Sequence, residues 1–119
     1  MTEAKLHAGG CHCGKVRYEV TAAVDSMLSC NCSICSKKGT LLTFVPEAAF
    51  TLKSGESDLT DYQFNKHRIH HTFCRVCGVT SFARGTGPDG KNMIAINARC
   101  LDDFDPATAT IKNIDGKSF

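Results

Sequence analysis

Seven of this chain's cysteines fall into three short clusters, and no other feature constrains the fold as tightly. Cys11-His12-Cys13-Gly14 reads C-x-C-G, and Cys30-Asn31-Cys32-Ser33-Ile34-Cys35 reads C-x-C-x2-C. Cys74-Arg75-Val76-Cys77-Gly78 reads C-x2-C-G, and only Cys100, the eighth cysteine, stands alone. Structural disulfides belong to oxidising compartments. The start, Met1 to His7, has no apolar stretch of signal-peptide length. A cytoplasmic or similarly reducing setting is therefore expected, and there such a cysteine count reads as metal binding.

The sulfurs of C-x-C and C-x2-C pairs can reach a single tetrahedral ion at about 2.3 Å each. Each pair needs a tight turn, whose backbone N–H groups can then hydrogen-bond the thiolates. Gly14 and Gly78 stand directly after the last sulfur of their pairs, where a residue free to adopt φ > 0 suits such a turn. Thiolate donors favour zinc, copper(I) or iron. Ligand softness favours zinc here, while spacing alone leaves iron open. A redox dithiol at Cys32/Cys35 or Cys74/Cys77 would call for a βαβ context, and this chain reads mostly as strands.

The two glycine-backed pairs together supply four thiolates, enough for a closed structural site. The central cluster supplies three, leaving a position that water, a substrate or another side chain could fill. Spacing also permits a competing set, Cys32/Cys35 with Cys74/Cys77.

Alternation with period two dominates the rest of the chain. Val16, Tyr18 and Val20 alternate with Lys15, Arg17 and Glu19, which predicts a half-buried strand. Thr40 to Val45, stopped by Pro46, reads as a buried strand. Phe50 to Leu52 and Leu59 to Phe64 read as two more, joined by a turn at Ser54-Gly55-Glu56. His67, Ile69, His71 and Phe73 share one strand face leading into Cys74. Val79 to Arg84 and Asn92 to Asn97 flank the Gly85–Gly90 loop as a hairpin. Short helical turns are expected at Ile34–Lys38 and Glu47–Phe50. The expected fold class is mainly β, of short antiparallel strands with zinc-binding corners, in one domain spanning residues 1–119.

With 14 basic and 12 acidic residues and no basic block, composition offers no argument for nucleic acid or anionic membrane. No apolar run reaches the roughly 18 residues of a membrane-spanning helix.

Gly10-Cys11-His12-Cys13-Gly14-Lys15-Val16, Cys30 to Cys35, and Phe73-Cys74-Arg75-Val76-Cys77-Gly78 together resemble the glutathione-dependent formaldehyde-activating family, which includes the centromere protein V type. All seven clustered cysteines match in order and spacing. The resemblance extends weakly through Leu101-Asp102-Asp103 and Thr110-Ile111. It implies a β-tent fold and two zinc ions per chain. By motif position, Cys11, Cys13, Cys74 and Cys77 would form the structural site, and Cys30, Cys32 and Cys35 would hold the second zinc, the family's proposed catalytic centre. The implied activity is carbon–sulfur lyase chemistry, interconverting S-hydroxymethylglutathione with glutathione and formaldehyde, so a small-molecule thiol is the expected partner. Family members often carry His inside the central C-x-C and Arg after its last Cys. Here those places hold Asn31 and Ser36, followed by Lys37 and Lys38.

Free thiols ionise near pH 8.5, so a thiol that must attack an aldehyde benefits from a metal that removes its proton. Three thiolates around a dication leave a net negative core, which favours positioning the thiol over polarising the carbonyl. Lys37, Lys38 and Arg68 are conceivable partners for the carboxylates of a glutathione-like ligand, although a solvated surface is the base case for such charges. The alternative function is a non-catalytic zinc module, a thiol carrier or protein-interaction domain. The fourth ligand of the second metal separates the two. Cys100 or a histidine there would favour structure, and an open position would favour chemistry. Along a strand His67 and His71 face one side and His70 the other, so only part of that cluster can reach one site. His12 lies between two ligands. Cys100 is expected to be a small buried hydrophobe.

Overall fold

The computed structural model describes residues 4–24, 26–64, 69–87, 89–105 and 107–115. In chain order its strands are β1 (Lys5–Gly10), β2 (Arg17–Ala22), β3 (Ser26–Cys30), β4 (Leu42–Pro46), β5 (Phe50–Ser54), β6 (Leu59–Tyr62), β7 (Ile69–Cys74), β8 (Phe82–Thr86), β9 (Asn92–Asn97) and β10 (Thr110–Ile114). One turn of helix, α1 (Cys35–Lys38), follows the central cysteines. The strands form a small sheet of order β1-β2-β5 and a large one of order β10-β3-β4-β9-β8-β7-β6. The fold is mainly β, as the alternation implied. Among the described residues no helix is long and apolar enough to cross a membrane.

Most expected elements are present, and their deviations have local causes. The expected strand at Val79 begins only at Phe82. The preceding backbone is committed elsewhere: Val79 C=O accepts from Cys74 N–H at 3.1 Å, and Ser81 C=O accepts from Asn97 N–H at 3.0 Å. The segments around Phe50 and Leu59 are both strands but do not pair with each other. β5 lies against β2 and β6 against β7, so the turn at Gly55 carries the chain from one sheet to the other. The helical turns at Ile34–Lys38 and Glu47–Phe50 appear as α1 and a 3-10 turn over Glu47–Ala49. Among the described residues one strand pair departs from an antiparallel plan: β10 runs parallel to β3, with Ile111 opposite Met27. Those two strands and β1 lack a clean alternation, which is why they escape notice in the sequence.

The core forms where the two sheets face each other. Val16, Tyr18 and Val20 are almost wholly buried, as their alternation requires, and meet Phe82, Ile94 and Ile96 of the large sheet. At the centre Phe82 packs against Tyr18 and Phe50 of the small sheet, with ring centroids 6.1 and 4.8 Å apart. Tyr18 and Phe50 in turn lie 5.3 Å apart. Offset and edge contacts of this kind add to the area that each ring buries.

Phe82 is fully buried, so Phe82→Ala should cost about 3–5 kcal/mol through lost transfer energy and a residual cavity. Urea denaturation of the metal-loaded protein measures this, and a cost under about 1 kcal/mol would show that the ring does not join the sheets.

Candidate metal centres

The structure gathers the clustered cysteines into two groups. In the first, the sulfurs of Cys11, Cys13, Cys74 and Cys77 all lie within 4.8 Å of one another. Cys11 follows β1 of the small sheet and Cys74 ends β7 of the large one, so this group joins the two sheets at a corner. Its two turns are built alike. Cys11 N–H donates to Val16 C=O at 3.0 Å, just as Cys74 N–H donates to Val79 C=O at 3.1 Å. Gly14 and Gly78 adopt φ of 83° and 78°, the left-handed conformation that a glycine takes without steric cost. Gly10 is required for a different reason: a Cβ there would lie 2.2 Å from the Val16 carbonyl oxygen that accepts from Cys11.

The spacing of the sulfurs fits a tetrahedral cation. Cys11 and Cys13, and Cys13 and Cys74, are each 3.6 Å apart. Four sulfurs at about 2.3 Å from one ion sit roughly 3.8 Å from each other, whereas a disulfide bond spans about 2.05 Å. The surroundings also favour thiolates. Val16 N–H points at Cys11 Sγ at 3.3 Å. Backbone N–H groups of Cys13 and Val79 bring the Cys77 thiol down to about 6. The Lys15 N–H favours ionised Cys13, but burial and the crowded sulfurs of Cys11, Cys74 and Cys77 push it up to about 11. Four thiolates this close repel one another until a cation neutralises them.

The second group is Cys30, Cys32 and Cys35, whose sulfurs also lie within 4.8 Å of one another and are all half-buried. Cys30 ends β3 and Cys35 opens α1. The loop between them is held by Ser36 N–H donating to Cys32 C=O at 3.0 Å and Cys32 N–H donating to Cys30 Sγ at 3.5 Å. Burial and the Cys32 sulfur push Cys35 up to about 12. Burial opposes ionisation of Cys32 too, but the Cys35 N–H and the flanking thiols hold it below the ordinary thiol value. An open pocket of about 480 Å³ lies alongside, lined in part by Cys30, Asn31, Ser36 and Ile114.

Among the described residues no histidine joins either group. His70 faces away and bonds Asp61 at 2.6 Å. His71 stacks on Phe64 with centroids 5.2 Å apart, and burial and nearby Lys38 hold its pKa below the usual imidazole value. His12 is exposed between its two cysteines. His67 and Arg68 lie outside the described residues. Cys100 belongs to neither group. Its thiol is half-buried, donates to Thr80 C=O at 3.4 Å and accepts from Asn97 Nδ2 at 3.6 Å, so it is hydrogen-bonded rather than merely apolar. The competing set, Cys32/Cys35 with Cys74/Cys77, is not how the sulfurs assemble. A residue that spacing did not single out is Thr80, whose hydroxyl accepts from Lys38 Nζ at 2.9 Å. That contact ties α1 to the loop after Cys77, and only the tertiary structure reveals it.

Over residues 6–114 the chain matches the family described as glutathione-dependent formaldehyde-activating enzyme. The chain belongs to this family. The crystal structure of a Rhodobacter sphaeroides protein superposes with a TM-score of 0.76 at 25% identity, covering 88% of this chain and 99% of that one. Membership of the formaldehyde-activating family ties the chain to glutathione-related formaldehyde activation or related chemistry, and the family is associated with zinc.

Cys13 and Cys35 keep their protons to about 11 and 12 in the absence of a cation. Thiolate ligation therefore has to release protons at neutral pH, metal affinity rises with pH, and acidification expels the metal. Calorimetric zinc titration of the reduced, metal-free protein in buffers of different ionisation enthalpy should report about two or more protons released per chain. A heat that is independent of the buffer would contradict thiolate ligation.

Proposed function

We propose that this protein is a zinc-dependent carbon–sulfur lyase of the S-hydroxymethylglutathione-forming type, working as one domain across residues 1–119 in a reducing, cytoplasmic setting. In this reading Cys11, Cys13, Cys74 and Cys77 hold a structural zinc, and Cys30, Cys32 and Cys35 hold a second, for two ions per chain. The observation that carries it is the composition of the second group: three half-buried sulfurs beside an open pocket, with no fourth protein donor among the described residues. A closed four-donor set would suit structure alone, whereas three donors leave room for an exogenous thiol.

Zinc held there supplies a Lewis-acidic position that favours the ionised form of an incoming thiol. The chain's own residues do the rest. Cys30, Cys32 and Cys35 fix the position, and their combined negative charge leaves the centre weakly electrophilic. That balance favours orienting a sulfur nucleophile over activating the aldehyde. Lys38 sits three residues after Cys35 with its ammonium group held by Thr80 and lying 6.0 Å from the centre of the Phe73 ring. There it brings positive charge to the rim of the site, where an acid group or a developing alkoxide would be stabilised. The reaction is an addition: the thiol gives up its proton, the sulfur forms a bond to the carbonyl carbon, the carbonyl π electron pair moves to oxygen, and that oxygen takes up one proton in place of the one the thiol released. No electrons are gained or lost overall, so no redox cofactor is required.

Formaldehyde consumption with and without glutathione, in zinc-loaded wild type and Cys32→Ser, tests this directly. Removing a ligand should lower the zinc-dependent rate by at least about 100-fold, beyond the usual effect of losing an outer-shell group. Cys32→Ser should also keep its fold, because the four-sulfur corner is untouched. A wild-type rate no faster than the spontaneous reaction would leave the non-catalytic zinc module as the better description.

A further inference from the structure

We propose that Asp115, acting through Asn31, is a positioning residue for the second cysteine group, so that the last strand of the chain holds the Cys30–Cys35 loop in its metal-binding geometry. The inference rests on the reading of that group as the site of the second zinc.

The loop has little support of its own. Among the described residues, every hydrogen bond of Cys32, Ser33, Ile34 and Cys35 stays within residues 30–39. Those bonds shape the turn but fix it to nothing else. At its far end Lys38 ties α1 to Thr80. At its near end Cys30 closes β3, which meets β4 at a single position, Leu28 opposite Leu42. With β10 it pairs along its whole length, from Ser26 opposite Thr110 to Cys30 opposite Ile114. The strand that delivers the first sulfur is therefore held chiefly by β10.

The parallel pairing decides what meets next. Two parallel strands end at the same edge of a sheet, so the residues that follow them emerge side by side. Asn31 N–H donates to Ile114 C=O at 3.3 Å, and Asn31 Nδ2 donates to Asp115 Oδ1 at 2.8 Å. Asn31 is the one residue between Cys30 and Cys32. Holding both its backbone and its side chain sets the direction in which the chain leaves Cys30, and with it the relative placement of the two flanking sulfurs. A hydrogen bond to a carboxylate is stronger than one between neutral groups. Asn31 and Asp115 also line, with Cys30, the open pocket of about 480 Å³, so the same contact shapes the approach to the group. Three thiolates with no fourth protein donor gain from such preorganisation, because ordering a loose loop costs binding energy. Partners that orient metal ligands typically contribute about 10- to 100-fold to affinity.

The test follows zinc release from the fully loaded protein to a chromogenic chelator, in wild type, Asn31→Ala, Asp115→Ala and the double variant. Wild type should release its two ions in separate phases, the three-sulfur group first. Each single substitution should speed the fast phase about 10-fold and spare the slow phase from the four-sulfur corner. The double variant should be no faster than the faster single variant, since non-additivity marks a shared contact. Asp115→Asn keeps an oxygen that can accept from Asn31 and should recover most of the loss. Cobalt(II) absorption gives a second readout: the bands of the second site should shift in Asp115→Ala and return in Asp115→Asn. An unchanged fast phase, additive effects, or equal acceleration of both phases, as a general loss of stability would give, would overturn the positioning role and leave the lyase reading standing. Uptake of a single zinc by wild type would remove the second site itself, and the lyase reading and this inference with it.

Discussion

Four sulfurs brought within 4.8 Å of one another from two distant stretches of the chain are the contact on which the rest of this structure depends. Cys11 and Cys13 belong to the turn that closes the small sheet, and Cys74 and Cys77 to the turn that leaves β7 of the large one. Held by a common cation, they tie the two sheets at one corner. Without it, spacings of 3.6 Å bring several ionisable thiols into repulsion. The aromatic contact of Tyr18, Phe50 and Phe82 joins the same two sheets at their centre. A chain of this size buries only about two-thirds of the surface its unfolded form exposes. A metal tie at this corner would add on the order of 10 kcal/mol, which is large beside the roughly 5–15 kcal/mol of a typical domain.

The two cysteine groups differ in ways that follow from their supports. The first is made by two matched turns, each closed by a backbone hydrogen bond, Cys11 to Val16 and Cys74 to Val79, and each backed by a glycine with positive φ. Its donors come from both sheets, and a cation held by all four would have no position left open. The second depends on one strand end and one helical turn, all within the short stretch from Cys30 to Cys35. It therefore shapes its own loop and leaves one side toward the outer face of the sheet. Lys38, anchored through Thr80 to the loop after Cys77, links the two regions mechanically.

Much of this architecture is legible in the sequence, for identifiable reasons. The buried face of β2 follows from alternation, β8 and β9 are marked by the glycine-rich loop between them, and Gly14 and Gly78 mark both turns by their place directly after a cysteine pair. The division of seven sulfurs into four and three rests on the family resemblance, since spacing alone allows Cys32/Cys35 to join Cys74/Cys77. The parallel pairing of β10 with β3 is hidden because contacts so distant in sequence leave no periodic trace. The delayed start of β8 is hidden too, because Val79 and Ser81 commit their carbonyls to Cys74 and Asn97. The apolar outer face is the least visible part. Phe44, Ala83 and Ala95 look like ordinary strand residues until register puts them side by side.

Zinc-edge anomalous diffraction from crystals of the reduced protein addresses the sulfur clusters most directly. Two peaks per chain are expected, one at about 2.3 Å from each of Cys11, Cys13, Cys74 and Cys77, the other at that distance from Cys30, Cys32 and Cys35. A protein that crystallises folded without bound metal, or with these sulfurs joined as disulfides, would contradict the shared-cation architecture.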